Sequence, residues 1–441
     1  MKKNVNNLLL NSFFFLSGLI LFLLNILHKT GASQEKSSLY YLFFHFAYGV
    51  VVYFYRDKFK AQITPHWIIY SVTLLLILQT IPLLENDFYR YLWEGRVLSN
   101  GYNPYIWAPI SKELSHIQFN AKQMIGFPSL STIYPPIALG VFSLVSFFSS
   151  EYQNGLMALM CFNGLLLFFL LKELNKWEMQ GTLKDHRSWF YVLLYPFFLK
   201  EFVQSVHIDL LAFFWVFFLL IKKRKGLGKY LLIIGSVFTK FIGLFFIIPI
   251  IIEQFKNRAF KEVFLSLGMI LSFLGVYFFY LYKIGGLKGF QAFYDYWAWN
   301  PGFFHILYRW LGFSNDVARA LCQIFFVLYL IIIFILTFKK GVFNKKDNIE
   351  MLFCIYLGLM FFTPVYNPWY ALWFAVPALM LGNKYGVFYA YLSFLGYSRY
   401  WDLESSKYLE VVSHVFFLPS LGQTDLFREY FKKLILKKRG I

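Results

Sequence analysis

The chain predicts an all-α, polytopic integral membrane protein, and three observations carry that prediction. Of its 441 residues 59% are hydrophobic and 23% aromatic, while only 15% are charged. No soluble domain of this length has the interior to bury so much apolar surface. The apolar residues run in continuous segments, of which the first, Leu8–Leu27, holds 20 residues without a charge; as a helix it is about 30 Å long, the thickness of a bilayer core. Finally, the Lys and Arg behind the net charge of +19 cluster in the breaks between segments, where basic residues set orientation.

Taken in order, Leu8–Leu27 reads as an uncleaved first span, because the run is too long for a signal-peptide core. Apolar segments follow at Leu39–Tyr55, Trp67–Leu84, Asn154–Leu171, Trp189–Val203 and Leu210–Ile221. Tyr230–Ile252, Val263–Tyr282, Val317–Phe338, Met351–Thr363, Trp369–Leu381, Tyr385–Tyr397 and Tyr408–Leu421 complete the series. The expectation is about 12–14 transmembrane helices, several of them short enough to need interfacial residues at each end. Tyr134–Phe148, which contains Pro135 and Pro136, is read as lying on the membrane, and Tyr230–Ile252 as a broken pair bending near Lys240. With the amino terminus inside, the runs Lys222–Lys225, Lys339–Lys340, Lys345–Lys346 and Lys437–Arg439 then fall on the inner face. A competing topology makes Tyr134–Phe148 and Tyr230–Ile252 one span each and strands Lys222–Lys225 outside. The preferred one collects Asp87, Arg90, Arg96, His207, Asp209, Lys240 and the turn Tyr366–Tyr370 on the outer face. That is how a membrane-embedded site looks.

No repeat or linker divides the chain, which reads as one domain over residues 1–441, with 1–65 as added N-terminal helices and 85–152 as the first large outer loop. Cys161, Cys322 and Cys354 lie in separate apolar segments, with neither disulfide nor metal spacing. No phosphate-binding glycine loop, dinucleotide fingerprint or metal constellation appears, and nothing points to nucleic acid.

The outer loop opens on the most informative stretch. A helix starting at Asn86 places Asp87, Arg90, Tyr91 and Glu94 on one stripe by i, i+3, i+4, i+7 spacing, and Asn100-Gly101 stops it. The pattern fits an amphipathic juxtamembrane helix lying in the interface. It reads equally as an anchor with self-neutralising charges or as a catalytic element. Lys240, inside an apolar run, needs a partner: a bound phosphate, or Asp209 or Glu201. Arg90 and Arg96 offer bidentate phosphate contacts or pairs with Glu94. The tryptophans Trp297, Trp299 and Trp369 suit a sugar ring or an interfacial belt.

In Asp87-Phe-Tyr-Arg-Tyr-Leu-Trp-Glu-Gly-Arg96 with Asn103-Pro-Tyr105, and in Ile133-Tyr-Pro-Pro136, the chain resembles a known family. His207-Ile-Asp209, Thr239-Lys240-Phe241 and Asn367-Pro-Trp-Tyr370 extend the match. The family is the polyprenyl-phosphate-sugar-dependent glycosyltransferases of the GT-C fold, and the resemblance is closest to the bacterial polyprenol-phosphomannose-dependent mannosyltransferases. A more distant likeness is to the mannosyltransferase of GPI-anchor synthesis. The chain departs from many relatives at Glu94, where they carry Asp, and at Ile208, where they carry Asn.

The resemblance implies transfer of a hexose, mannose above others, from a polyprenyl-phosphate donor to a glycan or glycolipid acceptor at the outer face of a bacterial inner membrane. It makes Asp87 the general base. Asp209, Glu94 and His207 are then expected to orient the acceptor or serve as a second acid, and Lys240, Arg90 and Arg96 to bind the donor phosphate. Tyr134, Asn367, Trp369 and Tyr370 are expected to line the substrates. No cofactor is expected; a divalent metal is left open. The other open reading is a transporter or flippase of a lipid-linked or small polar substrate.

Overall fold

Where an apolar run is unbroken, the chain forms one long helix; where a polar or proline-containing step interrupts it, the helix stops or bends. A computed structural model describes residues 2–59, 63–147, 151–179, 188–221, 227–339, 345–401, 406–428 and 430. Among these no strand forms, and the β-type pairing is an isolated bridge between Trp299 and Val365. The Lys222–Lys225 and Lys437–Arg439 runs, with Lys340, lie outside the described residues.

In chain order the helices begin with α1 (Lys2–Lys29), α2 (Gln34–Tyr55), α3 (Trp67–Ile77), α4 (Asp87–Ser99), α5 (Pro136–Phe147) and α6 (Tyr152–Met179). Then come α7 (Ser188–Gln204), α8 (Asp209–Ile221), α9 (Leu227–Thr239), α10 (Ile247–Lys256), α11 (Phe260–Lys283) and α12 (Lys288–Tyr296). The chain continues as α13 (Asn315–Lys339), α14 (Lys345–Phe362), α15 (Leu372–Leu381), α16 (Lys384–Tyr391), α17 (Ser406–Val412) and α18 (Phe417–Gly422).

Among the described residues, five helices are long and apolar enough to cross a membrane: α1, α2, α6, α11 and α13. Two of them, α11 and α13, turn Phe264, Leu271, Val276, Ile324, Val327 and Leu328 outward, a continuous apolar surface that suits lipid and not water. Shorter apolar helices, among them Trp67–Ile77, Pro136–Ser146 and Gly228–Thr239, carry other apolar segments, and three interruptions keep those segments short. α7 ends in a π-helical stretch (Phe198–Gln204) and meets α8 at 116°, so Trp189–Val203 and Leu210–Ile221 form one bent pair. Lys240 adopts an extended backbone (φ −157°, ψ 128°) between α9 and the 3-10 turn Phe241–Phe246, which is the break expected there. A loop and the turn Pro368–Ala371 separate α14 from α15.

Two cores result. The larger joins α1, α2, α3, α7, α8, α14, α15 and α16, and the first two helices are part of it: Ser38 donates to the Tyr397 carbonyl (3.1 Å) and Tyr48 to that of Val192 (2.7 Å). A second core gathers around α4 and α5, with Phe88, Leu92, Trp93 and Phe142 buried in it. The polar stripe of α4 is covered along with its apolar face. Tyr91 and Glu94 are buried like Phe88 and Leu92, because α5 and the loop between α4 and α5 cover both sides. At one end of the bundle lie the breaks and α4; at the other, polar pairs such as Lys229–Glu262 (3.1 Å) and Lys346–Asp425 (2.6 Å) close the helix ends.

Candidate active site

The interruptions that shorten the helices bring polar side chains to one place. Asp87 is the first residue of α4, after the Asn86 cap position. It is partly exposed and makes no hydrogen bond or ion pair among the described residues. Burial pushes its carboxyl pKa up, while the charges of Lys240 and Arg90 pull it part of the way back and Asp209 raises it further.

Asp209 opens α8 and is fully engaged. Its Oδ2 accepts from Lys240 Nζ at 2.5 Å and its Oδ1 from Trp373 Nε1 at 3.1 Å. The same Lys240 ammonium lies 4.4 Å from the centre of the Tyr370 ring, a cation–π contact. The break at Lys240 is what frees that side chain to reach across to α8. Of the two acids expected as its partner, Asp209 is the one it meets, with Tyr370 beside it.

His207 sits in the bend between α7 and α8, wholly buried. Its ring stacks on Trp369 with centroids 3.6 Å apart, and its Nδ1 is 3.3 Å from Tyr91 Oη. It joins α4 to the turn that carries Asn367, Trp369 and Tyr370, where Asn367 holds the cap position and its carbonyl accepts from the Tyr370 N–H. Tyr134 packs edge-on against Tyr91 at 5.1 Å.

Arg90 and Glu94 form a clamp. Arg90 Nε donates to Glu94 at 2.6 Å, and its terminal nitrogens donate to the carbonyls of Gly126 (3.2 Å), Phe127 (3.0 Å) and Leu130 (2.5 Å). Thr132 donates to the other Glu94 oxygen at 2.5 Å. The guanidinium thus ties the loop between α4 and α5 to α4. Arg96, two residues beyond Glu94, is in electrostatic contact with Glu151, and burial lowers its pKa. The structure does not bring it to Lys240.

Residues 38–254 match the family model described as MptA_B family, alpha-(1->6)-mannopyranosyltransferase, N-terminal domain. Over those residues the chain belongs to that family. It is a glycosyltransferase of the mannose-transferring kind. No curated protein and no solved structure matches it. In this mannosyltransferase, Asp87, Asp209 and Lys240 all fall within the matched stretch, whereas Tyr370 and Trp373 reach the site from beyond it.

Sequence reasoning missed Trp373, Lys200 and Tyr397 beside this site and named Glu201 only as a candidate partner of Lys240. Trp373 gave no signal, since one tryptophan in an apolar run looks like packing. Lys200 and Glu201 did give one: adjacent charges inside Trp189–Val203 are costly in a membrane. They pair at 3.3 Å with side chains 0% and 1% exposed, and Tyr397 Oη donates to both Glu201 oxygens (3.0 and 3.1 Å) while it accepts from Lys200. Glu85, two residues before Asp87, faces this network, and burial pushes its carboxyl pKa up against the pull of Lys200.

Proposed function

We propose that this glycosyltransferase moves mannose from a polyprenyl-phosphate donor to a mannose-containing glycan or glycolipid at the outer membrane face. Asp87 is the general base. It takes the proton of the acceptor hydroxyl, whose oxygen bonds to the anomeric carbon as the bond from that carbon to the phosphate oxygen breaks. The electron pair leaves with the polyprenyl phosphate. The observation that carries this reading is a contrast among acids: Asp209 and Glu94 have both oxygens engaged, whereas Asp87 is partly exposed without a partner. A carboxylate needs such freedom to meet a hydroxyl.

Lys240 fits the departing phosphate. Its side chain is 19% exposed, and an ammonium that gives one hydrogen to Asp209 keeps two more donors. Charge that grows on the leaving group is then met by a fixed cation. No cofactor enters the scheme.

The test is protein reconstituted in lipid nanodiscs with polyprenyl-phosphomannose and octyl α-mannoside. Mannosylated product with the lipid donor and none with a nucleotide sugar is expected; no product from any lipid-linked hexose would overturn the reading. Orientation is tested separately in cells, in a background lacking native cysteines. A cysteine at the exposed Glu113 should label from outside and one at the exposed Lys261 only after permeabilisation. The reverse pattern would put the site on the inner face.

A further inference from the structure

We propose that Asn86, Phe127 and Trp297 form the seat for the acceptor's pyranose ring; the inference rests on the transferase reading above and names the place where its acceptor lies. Phe127 has a left-handed backbone (φ +51°) and a ring that is 57% exposed. A bulky residue adopts that backbone only where its surroundings over-determine it. Here they do: its carbonyl accepts from Arg90 and from the Leu130 N–H, both at 3.0 Å. Arg90 belongs to the helix that begins with Asp87. The strained residue is therefore tied directly to the element that carries the base.

The Phe127 ring meets Trp297 at 4.3 Å between centroids, at 61°. Trp297 comes from a different loop, and that loop is also fixed to the site. Two residues on, the Trp299 N–H donates to the Pro364 carbonyl (3.1 Å) and its carbonyl accepts from the Tyr366 N–H (2.7 Å). This holds it to the segment that leads into Trp369 and Tyr370. The two rings thus close a circuit around the site, from Asp87 through Arg90 and Phe127 to Trp297 and back through the turn to Lys240.

Asn86 adds the polar part. It occupies the cap position of α4, yet its side chain caps nothing and is exposed, unlike the usual asparagine there. A Cβ on Gly126 would lie 3.5 Å from both Nδ2 and Oδ1 of Asn86, so the carboxamide rests beside the residue that precedes Phe127. A pyranose presents an apolar C–H face and a rim of hydroxyls. Aromatic rings take the first, and a carboxamide that both donates and accepts takes the second. Asp87, next to Asn86 in sequence, is then placed for the reacting hydroxyl. Tyr294 and Tyr296, exposed on the last turn of α12 just before Trp297, suit an interfacial belt; Phe127 and Trp297 meet from two separate segments instead.

The test separates binding from turnover. Protein in nanodiscs without donor is titrated with methyl α-(1→6)-mannobioside and read by saturation-transfer NMR. Wild type is expected to bind. Phe127→Leu, which keeps apolar bulk and the same backbone demand, and Trp297→Leu should each weaken affinity about tenfold. Asn86→Ala, at an exposed and unbonded side chain, should weaken it about fivefold with melting unchanged. Asp87→Asn should still bind. In turnover, KM for the mannobioside should rise in the ring variants while KM for the lipid donor stays fixed. Unchanged affinity in the variants, an equal rise in donor KM (an aromatic anchor for lipid), or no saturation transfer to wild type would overturn the seat. Ring-dependent binding without turnover would uphold the seat while sinking the transferase reading.

Discussion

Lys240 and Asp209 form an ion pair of 2.5 Å whose partners differ in exposure, the ammonium 19% and the carboxylate 1%. Removal of one partner is therefore not equivalent to removal of the other. Lys240→Ala strands a buried carboxylate and should destabilise by roughly 3–5 kcal/mol. Asp209→Asn leaves an ammonium that can still reach solvent and should destabilise less. The double variant should recover most of the loss, measured as melting temperature in detergent. Donor affinity of the double variant against Asp209→Asn alone then isolates the phosphate contact, since the pair is absent from both.

The acid limb of activity should lie above the ordinary carboxylate range. Burial raises the Asp87 pKa, and Lys240 and Arg90 offset only part of that. A base works when ionised, so activity is present above the raised pKa and lost as pH falls through it. Asp209 is among the charges that raise it; Asp209→Asn should shift the limb of kcat/KM to lower pH, and an upward shift would contradict the assignment. Asp87→Asn should lower turnover by about 10²-fold above that pKa and abolish the acid limb, with donor affinity kept.

Arg90→Ala should be among the most damaging changes in α4. It removes four hydrogen bonds to Glu94, Gly126, Phe127 and Leu130 and leaves Glu94, 3% exposed, without its cation. The expected loss is about 3–5 kcal/mol. Arg90→Lys should recover little, because a point charge cannot reach a carboxylate and three carbonyls at once. Limited proteolysis of the loop, faster in both variants, is the check.

How much of this was legible follows from what each residue needs. The all-α class, the start of α4 at Asn86 and its stop at Asn100-Gly101, where Gly101 has φ +80°, are local or compositional and were readable. So was the break at Lys240, since a lysine within an apolar run must find a partner. Which partner was not readable: Asp209 lies 31 positions away, and only the bend between α7 and α8 decides that it, and not Glu201, meets Lys240. The burial of α4 was hidden for a related reason. An i, i+4 acid–base pair such as Arg90–Glu94 has the same spacing whether water or Thr132 and the loop carbonyls cover it. Trp373 and Tyr397 reach the polar network from far along the chain, and in sequence each is one aromatic among many.

Gly95→Ala should loosen α4 from α5. A Cβ there would come within 2.2 Å of the Phe142 carbonyl oxygen, and backbone cannot step aside as a flexible side chain can. Overpacking of this kind destabilises by about 1–3 kcal/mol. Gly140, with nothing within 4 Å of its added Cβ, is the matched control; Gly140→Ala should leave melting unchanged.

The buried pair Lys200–Glu201 separates stability from function. Lys200→Met leaves Glu201, 1% exposed, with Tyr397 as its remaining donor, and should destabilise by about 3–5 kcal/mol. Replacement of the whole network by apolar groups, Lys200→Met with Glu201→Leu and Tyr397→Phe, removes every stranded charge and should return melting close to wild type, as buried ion pairs exchanged for packing often do. Turnover should not return with it. Glu201 Oε2 is 3.7 Å from His207 Nε2, and the His207 ring is what Trp369 stacks on at 3.6 Å. Without the network, only Tyr91 Oη at 3.3 Å and the Trp369 stack hold that ring beside the turn that presents Tyr370 to Lys240. Melting temperature and kcat measured on the same triple variant decide it: recovery of both together would confine the network to folding, whereas recovery of melting alone assigns it the positioning of His207.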